Sequence, residues 1–181
     1  MQIKSKNTFI IIYLISLFLF NLNLRAEEFN IQAKEIIIDK ENEIIFAKGS
    51  VKAKDSEGKL IFADKITYKK NTQFLLAEGN VKINDNEGNL LITEKATYDK
   101  LNEIILTYNN TKLILEEGYN LVAKDISYTL LNKILKSNKK SIFTDVDGNI
   151  IETTMFQYDV VNSLFSSMGK IKISDIQKNK Y

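Results

Sequence analysis

The chain has 181 residues, with 25 basic and 23 acidic side chains and no histidine, cysteine, proline or tryptophan. That composition excludes thiol nucleophiles, disulfides, His-based triads and the usual zinc ligand sets, and no cofactor is expected. Three basic residues (Lys4, Lys6, Arg25) precede residue 27, which leaves 22 basic against 23 acidic residues in the body; such a near-neutral, mixed surface gives no support for a nucleic-acid partner.

Residues 1–26 open with Lys4 and Lys6, continue through the apolar run Phe9–Phe20 and close on the polar Asn21–Ala26. This is the three-part plan of a secretory signal peptide, with cleavage expected after Ala26 and a single domain over 27–181. An uncleaved anchor is the alternative. At 1.5 Å per residue the run spans about 18 Å, short of the roughly 30 Å of a hydrocarbon core. Either reading puts the body on the far side of a membrane.

The body is written in a 30-residue period. Ala47–Leu76 and Ala77–Leu106 align without a gap, matching Gly49 to Gly79, Val51 to Val81, Gly58 to Gly88 and Tyr68 to Tyr98. A half unit precedes them at Ile31–Ile38, and the period continues with decay through Thr107–Lys136, Ser137–Ser166 and a partial copy from Ser167. A fixed period of this length marks a repeat architecture.

Three columns punctuate each unit. The first is an acid before glycine: Glu57-Gly58, Glu87-Gly88, Glu117-Gly118 and Asp147-Gly148. Glycine supplies the positive φ of a tight reversal. The second is a polar turn, as at Asp39–Glu43 and Asp99–Glu103. The third is Gly49, Gly79 and Gly169, replaced by Asn109 and Lys139, which suits a bend or bulge inside a strand better than an obligatory turn. Between the turns β-branched and aromatic residues dominate. Alternating turns predict an up-and-down antiparallel meander of about ten long strands.

The strands also change phase. Apolar or small residues fall at Ile61, Ala63, Ile66 and Tyr68, then at Leu91, Thr93, Ala96 and Tyr98, a spacing of 2, 3 and 2. One extra residue flips every later side chain to the other face, so each strand is expected to bend there. Corners in register fold the sheet into a V or jelly-roll with an apolar interior. Upstream of the return strands lie triplets such as Ile44-Ile45-Phe46, where alternation would allow two inward residues at most; either some face outward or the bend buries both faces.

These residues resemble a known family. AKGSVKAKDSEGKLIFADKITYKK, AEGNVKINDNEGNLLITEKATYDK and the opening FNIQAKEIIIDKENEIIFAKGSVK are similar to the OstA-like repeat of the lipopolysaccharide-transport proteins. The resemblance is strongest over residues 29–106. It implies an all-β fold, a V-shaped β-jellyroll of bent antiparallel strands, whose groove holds the acyl chains of lipid A. It further implies edge-to-edge stacking with other OstA-like domains, and at one end an outer-membrane barrel with its lipoprotein partner. The start of the mature chain is more similar to the translocon branch, which expects a barrel beyond Tyr181, than to the soluble-bridge branch, which does not.

Under that resemblance Val51, Phe62, Ile66, Tyr68, Val81, Ile83, Ile92, Tyr98, Leu113 and Tyr128 are the inward candidates to line the groove; the alternative is a dry sandwich core of a secreted structural or adhesive protein. The tyrosine column, Tyr68, Tyr98, Tyr128 and Tyr158, reads as a core edge with hydroxyls in water. Lys52, Lys54, Lys59 and Lys65 read as solvated or edge-protecting charges rather than phosphate ligands. The acids of Asp55/Glu57 and Asp85/Glu87 recur beside glycine in every unit, so turn chemistry accounts for them. A glycosidase needs a unique pair placed once, and no enzymatic activity is expected.

Overall fold

In a computed structural model, residues 29–176 are described, and every regular element among them is a β-strand. The signal-peptide expectation lies outside the described residues. The strands are β1 (Phe29–Gln32), β2 (Glu35–Asp39), β3 (Ile44–Asp55), β4 (Leu60–Lys69), β5 (Phe74–Asn84), β6 (Leu90–Asp99), β7 (Ile104–Ile114) and β8 (Asn120–Lys124). They continue as β9 (Ser127–Thr129), β10 (Ile134–Ser137), β11 (Ser141–Thr144), β12 (Ile150–Thr153), β13 (Phe156–Asp159), β14 (Leu164–Ser167) and β15 (Ile171–Ser174). The 15 segments form one antiparallel sheet. They amount to the ten bent strands expected from the turns: β3 to β7 pass through the corner intact, and the other five are each cut in two there.

The corner divides the sheet into two limbs. One runs β1-β3-β4-β5-β6-β7-β8-β11-β12-β15 and ends in the acid-glycine turns. The other, with the asparagine turns, continues from β7 through β9, β10 and β13 to β14, with β2 at its opposite edge. The corner is the predicted bulge. Register slips between Lys48 and Val51, so that Gly49 and Ser50 face Asp64 alone, and again between Glu78 and Val81, where Gly79 and Asn80 face Glu94. All four inserted residues have positive φ, from 48 to 82°. On the partner strand two successive residues point outward, and this is the 2-3-2 spacing seen in the sequence: Ile61, Ala63, Ile66 and Tyr68 are all buried.

The turns are held by their acids, as read from the sequence. Asp85 Oδ1 accepts from the backbone of Glu87 and Asn89 (both 2.9 Å) while Oδ2 accepts the Asn89 amide at 2.7 Å; Asp145 repeats this with Asp147 and Asn149. At the other end Asp39, Asp99 and Asp159 each bind the backbone and side chain of the asparagine three residues on. These hydrogen bonds hold all three carboxyls below the usual carboxylate range.

The apolar triplets resolve into faces. Ile45, Leu75 and Ile105 point inward, and their flanking residues Ile44, Phe46, Phe74, Leu76, Ile104 and Leu106 fall on the outer face of the asparagine-turn limb.

Candidate functional site

The interior is built from cross-strand rows. On the asparagine-turn limb one row reads Ile45, Tyr68, Leu75, Tyr98, Ile105, Tyr128, Leu135, Tyr158, Phe165, with residues in register on successive strands. Aliphatic residues and tyrosines alternate from strand to strand, so Tyr68, Tyr98 and Tyr128 each pack between two aliphatic neighbours, and Tyr158 between Leu135 and Phe165. On the glycine-turn limb the facing row reads Ala53, Ile61, Ile83, Leu91, Leu113, Leu121, Phe143. The limbs meet through aromatic contacts. Phe29 of β1 sits edge-on to Tyr68 at 4.8 Å and to Tyr98 at 6.1 Å. Phe143 lies 5.7 Å from Tyr158 and 4.8 Å from Phe165.

Of the candidate groove residues, Val51, Ile66, Tyr68, Val81, Ile83, Tyr98 and Leu113 are buried in this interior and Tyr128 is half-buried within it. Phe62 and Ile92 require correction. Their neighbours Ile61, Ala63, Leu91 and Thr93 are the buried ones. Period-2 alternation therefore turns Phe62 and Ile92 outward, into register with Lys52, Lys82 and Lys112. The tyrosine column is also deeper than expected. Tyr68, Tyr98 and Tyr158 are among the largest fully buried side chains, because the second limb covers what a flat sheet would leave wet. Burial raises the hydroxyls of Tyr98 and Tyr158, and it pushes Tyr128 up to about 12, with the Asp85 and Glu87 charges adding to it. Tyr158 Oη has no hydrogen bond of normal geometry among the described residues.

Lys59 is the third correction. It is 7% exposed rather than solvated. Its Nζ reaches Glu57 at 3.0 Å and Asp55 at 3.2 Å and stands 5.4 Å from the Tyr98 ring. Burial alone lowers an ammonium, but the Glu57 hydrogen bond and the charges at Tyr98 and Asp55 outweigh it and hold Lys59 above its ordinary value. In the next unit the column carries Asn89, so the charged pair belongs to the end of the interior nearest β1.

Among the described residues both edges of the sheet are open: β2 pairs only with β3, and β15 only with β12. Their inner-row residues are uncovered: Ile36 is 42% and Ile38 58% exposed, Ile171 47% and Ile173 41%. In the strands between, the same rows hold Ala47, Ile66, Ile61 and Leu121, all buried. The apolar interior thus reaches solvent at each end of the meander. A separate pocket of about 540 Å³ lies at the corner of the later units, lined among others by Lys136, Met155, Gln157, Ser166 and Met168.

Sequence reasoning missed Phe29, the aliphatic half of the ladder and the corner pocket. The first two were present in the sequence as the residue opening β1 and the central member of each apolar triplet. The pocket depends on how four broken strands separate and left no local signal.

A sequence model of the family described as OstA-like protein matches residues 16–144. No curated protein sequence matches the chain. Among solved structures, the chain is similar to LptH of Pseudomonas aeruginosa, described as the LptA homologous periplasmic component of the conserved lipopolysaccharide transport device. That likeness has 12% identity and a TM-score of 0.48, and covers 80% of this chain and 92% of LptH.

Proposed function

The chain belongs to the OstA-like protein family, and from that premise we propose that it is a periplasmic, non-enzymatic lipopolysaccharide-binding component of outer-membrane assembly. In this reading residues 1–26 are a cleaved secretory signal and 27–181 the repeat domain. The acyl chains of lipid A enter between the limbs, against Val51, Ile66, Tyr68, Val81, Ile83, Tyr98, Leu113 and Tyr128. Other OstA-like domains add to the two free edges by strand pairing, with an outer-membrane barrel and its lipoprotein partner at one end of the chain of domains.

The observation that carries the reading is the exposure of inner-row isoleucines at both edges. A closed structural sandwich has no use for uncovered interior residues at its ends, whereas stacked copies join them into one apolar bore. Energetics permit entry. A dozen buried methylenes are worth roughly 10 kcal/mol at about 0.8 kcal/mol each. Moving Phe29 off its two tyrosines costs about 3–5 kcal/mol by analogy with truncating a buried phenylalanine.

Photo-crosslinking tests the proposal. A crosslinker at Val81 or Tyr98 is expected to give lipopolysaccharide adducts in cells, and one at the outward Lys82 none. Absence of adducts from all eight inward positions overturns the binding claim and favours a secreted structural protein with a dry core.

A further inference from the structure

The outer face of the glycine-turn limb is neither interior nor edge, and its composition is unusual for a solvated sheet face. One register row crosses the whole limb without a break. It places Lys52, Lys82 and Lys112 on β3, β5 and β7, and Lys172 on β15. All four lysines are exposed. Among the described residues Lys52, Lys82 and Lys112 have no carboxylate partner; only Lys172 has one, Glu152 at 3.2 Å, the single acid of the row. Lys52 lies 5.9 Å from the Phe62 ring.

Edge protection does not account for these charges. Lysine blunts a free edge, but β3, β5 and β7 are central strands, each paired on both sides. Nor is the face merely polar. The strands between the lysines place Phe62, Ile92 and Val122 in the same row, and the last is 45% exposed. The solvent face of an antiparallel sheet ordinarily carries polar residues throughout. With strands about 4.8 Å apart, the three central lysines stand roughly 10 Å from one another with an apolar side chain between each pair. Apart from Glu152, the acids of this limb lie off the row: Asp64 and Glu94 at the corner two residues beyond Phe62 and Ile92, where Asp64 accepts the Asn80 amide, and Glu57 and Glu87 in the turns, where they bind Lys59 and Lys133. The chain body is near neutral, so the row is a local separation of charge rather than an overall excess.

We infer that this face lies against an anionic bilayer surface, with the ammonium groups on lipid phosphates and Phe62, Ile92 and Val122 entering the headgroup boundary. Basic side chains interleaved with large apolar ones are the composition of surfaces that rest on such membranes, the charges drawing the protein in and the apolar groups retaining it. The interior stays free, because residues on this face alternate with those that point inward.

The test is co-sedimentation of the exported chain, purified from periplasmic extract, with vesicles of phosphatidylglycerol and phosphatidylcholine or of phosphatidylcholine alone. Binding is expected to the anionic vesicles only and to fall steeply with added salt. K82Q/K112Q should weaken it roughly twenty-five-fold, since each lysine beside an anionic surface contributes about a factor of five. F62S should weaken it while keeping its salt dependence. Equal binding to phosphatidylcholine, or K82Q/K112Q binding like the parent with an unchanged circular dichroism spectrum, overturns the inference. So does an absence of vesicle binding combined with lysine-dependent capture of an acidic protein.

Discussion

The corner of the sheet is built in two different ways along one chain. In β3 and β5 it is a backbone device. Gly49-Ser50 and Gly79-Asn80 take positive φ, the strands run through unbroken, and the inner row beside them is Val51, Ala63 and Val81. β7 keeps the bulge with Asn109 in the glycine's place (φ 66°); beyond it, although Gly169 returns between β14 and β15, the strands part and the device is made of hydroxyls. From β6 onward the same row becomes Thr93, Thr111, Ala123, Ser141 and Thr153. Ser137 donates to Lys124 O at 2.6 Å, Ser141 to Lys139 O at 2.8 Å, and Thr153 and Ser167 to Met155 O at 2.9 and 3.0 Å. Backbone groups that lose their ladder partner at a bend must be satisfied somehow. Where a left-handed bulge forms, at Gly49-Ser50, Gly79-Asn80 and Asn109, the strand stays in the ladder; where the strands part, side-chain hydroxyls take over. The decay of the repeat after residue 106 is therefore a change of mechanism, and the pocket beside Met155 and Met168 opens where the strands part.

The strongest way to break this contrast is Gly79→Val. The position has φ of 75°, and an added Cβ would overlap the Asp64 carboxylate and stand 2.9 Å from Asp64 Cβ. A branched residue in that conformation costs about 1–3 kcal/mol in strain. Displacing Asp64, which also accepts the Asn80 amide at 2.9 Å, adds to it. A loss of about 3 kcal/mol is expected in urea unfolding. Gly169→Val, whose added Cβ meets only Thr154 Oγ1 within 4 Å, should cost about half as much, because that hydroxyl can rotate away. Equal losses at the two sites would show that the early corner is no more rigid than the late one.

A reciprocal swap sharpens the same contrast at smaller cost. Thr111 is fully buried and bonds Thr107 at 2.7 Å and Thr93 at 3.1 Å; Thr107 in turn accepts Ile126 N at 3.0 Å, across the break between β8 and β9. Thr111→Val removes the centre of that network, and Val51→Thr puts a hydroxyl into the apolar end of the row, opposite Ala63, with nothing arranged to receive it. Each change is nearly isosteric, and each should destabilise by about 1–2 kcal/mol because a buried polar group is left without its partner. If Val51→Thr is neutral, the early corner already tolerates hydroxyl chemistry and the two devices are interchangeable.

How much of this was legible in the sequence follows from range. The period, the ten strands, the bend at the 2-3-2 spacing and the acid turns depend on residues a few positions apart, and all were readable. Burial of the tyrosines and of Lys59 depends on the opposite limb, tens of residues away, which alternation within one strand cannot report. Phe62 and Ile92 were misassigned for a related reason: both are large and apolar, and residue type was allowed to outweigh the parity set by Ile61 and Leu91. The OstA-like resemblance was carried by residues 29–106, the half whose corners keep their glycines. The hydroxyl corners were visible as Thr111, Ser141 and Thr153, but their meaning needed the carbonyls they bind.

The smallest expected effect concerns the tyrosine ladder, which both halves share. Tyr128 stands where the early and late halves join, in register with Ile105 and Leu135. Its hydroxyl is pushed up to about 12 by burial and by the charges of Asp85 and Glu87, against an opposing pull from Lys59. A free phenol ionises near 10, so between roughly pH 10 and 12 the folded chain holds a proton that the unfolded chain releases. The stability contributed by this group is complete below about pH 10 and is lost as pH rises through 12. Lys59, also raised, acts in the same direction and on the same alkaline side. Stability should therefore fall above pH 10, and absorbance at 295 nm should show a tyrosine phase near pH 12 that Tyr128→Phe removes. A Tyr128 phase already complete near pH 10 would mean that water reaches the junction, and that the ladder does not run unbroken from the glycine corners to the hydroxyl ones.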